Sequence, residues 1–271
     1  MAVWRHYLKP RNELISVIRN EDKGPIRIRM YIATPTLGII RAEWAQCRWG
    51  AVTPCNWSNS GSFYSYVQSF PMGYLVADAQ NVAVMDALRS KAEWLFLLED
   101  DVLIPPDTFL RLNQHMREAK TPVISGLYFA KGNFPEPLIY KGRGNSCFTD
   151  WKRGNMVWAD GVPTGCLLIH TSLLQLMSDE SPEYMTCFGK KVKKVFETPA
   201  KSWTDPETGG MKLASGTSDL YWCDRVIRDK VLQRSGWKNI AKRKYPFLVD
   251  TNIFCKHIDL QSGKTYPLGA K

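Results

Sequence analysis

Five consecutive apolar residues, Trp94-Leu95-Phe96-Leu97-Leu98, run directly into three acids, Glu99-Asp100-Asp101. The run is too short to cross a membrane, and no polar residue alternates within it to give one wet face. It therefore predicts a central strand buried on both faces, which requires structure packed on each side of a sheet. The flanking segments supply it. Val82, Met85, Leu88 and Ala92 recur at helical spacing in a segment that opens at Asp78 and is ended by Glu93. Beyond the acids, Pro105-Pro106-Asp107 leads into a second helical pattern, with Phe109, Leu112 and Met116 inside and Asp107 as cap.

The same pattern extends outward. Ile28, Met30 and Ile32 alternate with Arg27, Arg29 and Tyr31, as in a half-buried strand, and Thr34-Pro35-Thr36 ends it because proline cannot continue a central strand. Val123 to Tyr128 reads as a further strand. The order strand, helix, strand, helix, strand predicts an α/β fold with a mostly parallel sheet flanked by helices. Residues 38–72 are less regular, with a helix near Ile39 to Cys47. Later, Gly165 to His170 reads as a strand, followed by a short helix capped by Thr171 or Ser172. Residues 178–216 lack periodicity and read as a long mobile loop. Leu220, Cys223 and Ile227 mark another helix, and a last strand around Ile253 to Cys255 leads to His257.

A chain of 271 residues suits one large domain, expected over 27–271 behind a basic N-terminal arm, 1–26. No apolar run reaches the roughly 20 residues of a membrane helix, and no signal peptide is visible, so a cytoplasmic location is expected. The 7 Cys include no CxxC pair, which favours reduced thiols, although Cys255 and His257 on one strand face raise a zinc alternative. The formal charge of +10 is concentrated at Lys190, Lys191, Lys193 and Lys194 and at Lys242, Arg243 and Lys244. Together these clusters suggest an anionic partner: a nucleotide, a phosphorylated lipid surface or a nucleic acid.

Acids at the carboxyl end of a buried strand stand where α/β sheets bind ligands. Their oxygens suit a hard cation, which can bridge two phosphates and neutralise a departing diphosphate. Leu97-Leu98-Glu99-Asp100-Asp101-Val102 resembles the DxD motif of GT-A glycosyltransferases, family 2-like members included. Asn81 falls in a segment like that family's Arg-Asn helix start. Val162-Pro163-Thr164-Gly165-Cys166-Leu167-Leu168-Ile169 is similar to its Gly-x-Gly-Cys segment, and Ser218-Asp219-Leu220-Tyr221-Trp222-Cys223 looks like its Glu-Asp-x-x-Phe motif. Cys255-Lys256-His257-Ile258 is similar to the site of a late metal-binding histidine. Glu99 in place of Asp, Ser218 in place of an acid and Pro163 in place of glycine depart from the pattern.

The resemblance, which covers about residues 27–260, implies a GT-A, Rossmann-like fold, with a nucleotide-sugar half at about 27–130 and an acceptor half at about 131–271. It implies a metal-dependent, inverting hexosyltransferase that uses a nucleotide sugar, UDP-linked by preference. Asp101 and His257 would bind Mn²⁺ or Mg²⁺, with Glu99 at the metal or the donor ribose. Asp100, facing the opposite side, joins Thr34, Pro35, Thr36, Asp78 and Asn81 as nucleotide-binding candidates. Asp219 would be the general base, its alternative being a helix cap. Trp203 and Trp222 are candidates to stack on a sugar. The acceptor stays open among a glycan, a lipid-linked sugar, a protein and a nucleic acid, including a modified base. Two other readings stand: a non-catalytic sugar-nucleotide-binding module, and a nucleotidyltransferase, against which Thr34-Pro35-Thr36-Leu37-Gly38 lacks the expected Gly-rich basic loop.

Overall fold

The computed structural model describes residues 30–53, 66–142, 147–204, 206–207 and 211–267, with the backbone alone at 201–203 and 212–215. The N-terminal arm and Arg27 to Arg29 lie outside the described residues. In chain order the elements are β1 (Met30–Ala33), α1 (Ala42–Gly50), β2 (Tyr66–Ser69), α2 (Val76–Arg89), β3 (Trp94–Leu98), β4 (Val102–Leu103) and α3 (Thr108–Glu118). There follow β5 (Val123–Leu127), β6 (Met156–Ala159), β7 (Cys166–His170), α4 (Thr171–Glu180), β8 (Glu183–Met185), β9 (Lys191–Lys193), β10 (Ala200–Thr204) and β11 (Met211–Ser215). The chain ends with α5 (Ser218–Arg228), α6 (Val231–Arg234), α7 (Lys238–Ala241), β12 (Phe247–Phe254), β13 (Lys256–Ile258) and β14 (Thr265–Tyr266).

A seven-stranded sheet in the order β2-β1-β3-β7-β5-β12-β6 organises these elements. β2, β1 and β3 are parallel, as are β5 and β12. β7 runs against both β3 and β5, and β6 runs against β12. The sheet is therefore mixed, which corrects the mostly parallel expectation. Helical crossovers force parallel neighbours, but β7 enters from an irregular segment, which allows either direction.

β3 is buried at every position. Trp94, Phe96 and Leu98 enter one apolar cluster with Phe109, Leu112 and Met116 of α3, while Leu95 and Leu97 enter another with Ala83, Val84 and Ala87 of α2. Each fully buried large side chain contributes roughly 1.5–3 kcal/mol relative to exposure. β1 is likewise buried throughout, not half-exposed, with Met30 and Ile32 on one side and Tyr31 and Ala33 on the other.

Several local expectations need correction. Asp107 does stand at the start of α3, but its carboxylate accepts from Arg111 at 2.7 Å and caps nothing. His170 caps α4: its Nδ1 accepts the Ser172 N–H at 3.2 Å, while the Thr171 hydroxyl donates to the Ala92 and Glu93 carbonyls. Residues 178–216, expected as a loop, contain two antiparallel hairpins, β8–β9 and β10–β11. Strands of three to five residues that pair mainly with each other leave no long apolar period to read. β12 is longer than the segment around Ile253 suggests, because a register shift between Asp250 and Phe254 interrupts its alternation. Among the described residues, no helix is long and apolar enough to cross a membrane.

Candidate functional site

The acids leave the carboxyl end of β3 beside the end of β1. Immediately after them, β4 pairs antiparallel with β13 and sets His257 opposite Val102. The Ile258 N–H donates to the Asp101 carbonyl at 2.7 Å, which closes this junction. Two residues far apart in sequence thus meet: His257 Nε2 lies 3.0 Å from Asp101 Oδ2. Nδ1 of the same ring lies 2.9 Å from the Phe129 carbonyl oxygen. A carbonyl only accepts, so Nδ1 carries hydrogen. On a neutral ring Nε2 then faces the carboxylate with its lone pair, an arrangement that a shared cation could bridge.

Lys131, in the segment after β5, lies with Nζ 2.5 Å from the same Asp101 oxygen. Burial acts to raise the Asp101 pKa, but hydrogen bonding and charge from His257 and Lys131 outweigh it and hold the carboxyl below its usual range. Asp101 Oδ1 is buried with no hydrogen-bond partner. A buried anionic oxygen without a partner is costly, and is expected where a ligand completes the site.

Glu99 does not join this pair. Its Oε1 accepts the Thr164 hydroxyl at 2.9 Å, and Thr164 accepts from Gln80 Nε2 at 3.0 Å. Burial, followed by the charge of Asp101, raises its pKa against the hydrogen bond from Thr164. Among the described residues no group of three or more His, Cys, Asp or Glu side chains is arranged to hold a metal. Asp101 and His257 make a half-site of one carboxylate and one imidazole, and a cation there would take its remaining ligands from a substrate such as a diphosphate. Cys255 belongs to the apolar core, its thiol pKa raised by burial and by neighbouring Cys166, which leaves the zinc alternative without its sulfur.

Asp100 and Asp101 are the central residues of a turn that the Val102 N–H closes on the Glu99 carbonyl at 3.2 Å, so the expected strand alternation does not extend to them. Burial raises the Asp100 pKa, opposed by a hydrogen bond from the Thr36 side chain. Thr36 Oγ1 also accepts the Gly38 N–H at 3.1 Å. Thr34 is fully buried beneath this end of the sheet, where its hydroxyl accepts from Gln68 and Gln68 accepts from Arg48. Pro35 is half-buried beside them. The other two nucleotide candidates have structural partners. Asn81 Oδ1 accepts the N–H groups of Val195 and Phe196, and its amide donates to the Phe196 carbonyl and Tyr184 hydroxyl. Asp78 accepts from the Tyr184 hydroxyl at 2.5 Å. Together they tie the start of α2 to the β8–β9 hairpin.

Asp219 sits in the first turn of α5, where Oδ1 accepts the Leu220 N–H at 2.8 Å. Burial raises its pKa against hydrogen bonds from the Thr217 side chain and the Leu220 N–H. Its charge reaches Glu99, Tyr128 and Tyr140, so it shares their electrostatic environment. Trp222 is core, stacked between Phe196 and Phe247 at 5.5 and 6.1 Å. The Trp203 side chain lies outside the described residues.

Sequence reasoning passed over Lys131 and Tyr128. Tyr128 accepts the Gly165 N–H at 2.9 Å and packs edge-on to the His257 ring. Both follow β5 at the same sheet edge as the acids, so the rule that selects Glu99 to Asp101 would also have selected them.

No protein-family model and no curated protein matches the chain. Among solved structures, A197 from STIV is similar with a TM-score of 0.46 and 14% identity, over 85% of this chain and 86% of that one. A protein described as a glucose-1-phosphate thymidylyltransferase from Bacillus anthracis, solved in complex with a sucrose, is similar with a TM-score of 0.31 and 8% identity, over 57% of this chain and 76% of that one. Neither likeness is close enough to carry an argument about chemistry, which has to come from the residues of the site.

Proposed function

We propose that this chain is a GT-A-like glycosyltransferase that moves a hexose from a nucleotide sugar, UDP-linked by preference, to an acceptor hydroxyl with inversion. The observation that carries the reading is Asp101, with Oδ1 orphaned and Oδ2 against an imidazole nitrogen, at the edge of the sheet where α/β proteins bind nucleotides. Asp101 and His257 would hold Mn²⁺ or Mg²⁺, which would supply charge neutralisation for the departing diphosphate. Lys131 adds a positive charge at Asp101 Oδ2, within reach of a phosphate bound there.

Asp219 is the proposed base. The acceptor oxygen attacks the anomeric carbon as the bond to the diphosphate breaks; the bonding pair leaves with the diphosphate and the hydroxyl proton passes to the Asp219 carboxylate. Its raised pKa brings it nearer to neutral and improves it as a base. Glu99, held by Thr164 and with its pKa raised by burial, offers a polar wall to the donor.

Incubation of the purified protein with UDP-hexoses and Mn²⁺ tests the reading. Slow release of UDP and free sugar, abolished by chelation and in Asp101→Ala, is the expected result. A binding module would retain nucleotide affinity without hydrolysis, and product with retained anomeric configuration would exclude the single displacement.

A further inference from the structure

The two basic clusters look alike in sequence and differ in the fold. Lys190 pairs with Asp86, Lys191 and Lys193 lie against Glu183, and Lys194 lies against Glu197. Three carboxylates thus face the four lysines of that cluster within the protein. Arg243 and Lys244 have no carboxylate within ion-pair distance among the described residues, nor does Lys141, which the fold brings beside them. These cations lie on aromatic rings instead. Lys141 Nζ is 3.5 Å from the Phe148 ring centre and 5.5 Å from that of Tyr245, and Lys244 Nζ is 5.3 Å from the same Tyr245 ring. Arg243 lies 3.8 Å over Trp158, on the edge strand β6. Arg243 and Lys244 are exposed, and Lys141 and all three rings are half-buried.

Lys141 and Lys244 meet at the Tyr245 ring without counter-charges, with Arg243 next to Lys244 in the chain, and an external polyanion relieves their mutual repulsion. Rings set among them add surfaces on which planar bases stack. The patch also adjoins the site. Lys141 follows Tyr140, whose phenol senses the Asp219 charge, and Gly161 packs against both Tyr140 and Leu220, the neighbour of Asp219. We infer that the surface formed by Lys141, Arg243 and Lys244 with Phe148, Tyr245 and Trp158 binds single-stranded nucleic acid. On the transferase reading above, on which this assignment of a role rests, the bound strand presents the acceptor hydroxyl toward Asp219.

Fluorescence anisotropy of a labelled mixed-sequence single-stranded oligonucleotide, without donor or metal, tests the surface independently of catalysis. Wild-type protein should bind with an affinity that falls steeply with salt. Arg243→Ala and Lys244→Ala should each weaken binding about tenfold at low salt and reduce the slope of log affinity against log salt by about 0.7. Tyr245→Ala should weaken it by a similar factor while changing the slope little. Lys191→Ala and Lys193→Ala, in the paired cluster, should bind as wild type. Absence of binding, loss confined to the 191 and 193 variants, or equal affinity for base-free polyphosphate or for anionic phospholipid vesicles would each overturn the inference. Oligonucleotide binding that behaves as described in a protein that never hydrolyses a nucleotide sugar would remove the transferase reading and leave the surface standing.

Discussion

The Lys131 ammonium lies 2.5 Å from Asp101 Oδ2, the oxygen that also faces His257. A cation that binds Asp101 therefore competes with a charge already supplied by the protein. Lys131→Met removes that competitor and should raise the affinity of the free protein for Mn²⁺ by roughly threefold to tenfold, a modest change for a partly exposed pair. Calorimetry of Mn²⁺ binding in the absence of nucleotide measures it. Weaker Mn²⁺ binding in the variant would show that Lys131 supports the ion and does not displace it.

Asp101→Ala should abolish Mn²⁺-dependent nucleotide-sugar binding; it also removes the Oδ2 contacts to His257 and Lys131, so the fold should persist with some loss of stability. Calorimetry with and without Mn²⁺ reads the first effect and thermal unfolding the second. Unchanged donor affinity would take Asp101 out of the site.

Asp219→Asn should lower turnover about a hundredfold to ten-thousandfold while leaving donor affinity nearly unchanged, because positioned proton transfer acts on the acceptor side. Asparagine still accepts the Leu220 N–H, so the melting temperature should move little. In the wild type, turnover should fall as pH drops through the raised Asp219 pKa, where the carboxylate takes up the proton it must leave vacant. A mutant of near-normal rate would leave Asp219 as part of the helix start alone.

Gly165 opens β7 against Tyr128. A Cβ there would stand 2.4 Å from the Tyr128 hydroxyl oxygen and 2.8 Å from a Val102 methyl group. Gly165→Ala should therefore destabilise the fold by about 1–3 kcal/mol, the usual cost of overpacking a closed core. Since Tyr128 also packs on His257, metal-dependent binding should weaken with it. Denaturant unfolding and Mn²⁺ calorimetry on the same preparation check both effects.

Acid sensitivity has a source away from the site. Asp250 is buried on β12; burial raises its pKa, but His115 and the Asn252 N–H and amide outweigh this and hold it below the usual carboxylate range. The native value lies below an unfolded value of about 3.9, so the contribution is complete above that pH and lost as pH falls through the native pKa. Asp250→Asn should lose stability relative to wild type at pH 7, and the gap should narrow below about pH 4. Denaturant titrations at the two pH values measure it, and a constant gap would assign the stabilisation to packing alone.

The apolar run Trp94 to Leu98 determined by itself that this chain builds a sheet covered on both faces, and the acids that follow determined which edge carries polar chemistry. An unbroken apolar run makes β3 legible from sequence, and helical spacing of apolar residues does the same for α2, α3 and α5. The meeting of Asp101 with His257 is different. The late-histidine resemblance suggested it, but only the antiparallel register of β4 with β13 brings the two side chains to one point. The role of Asn81 was decided the same way, by the Val195–Phe196 backbone that folds onto it. The direction of β7 depended on an entry path that no period records. The two lysine-rich clusters make the point with charge: sequence counts the cations, but the fold alone places Asp86, Glu183 and Glu197 beside one cluster and aromatic rings beside the other. Coulombic partners are set by distance in space, and distance in space is what a chain acquires only when distant segments pack.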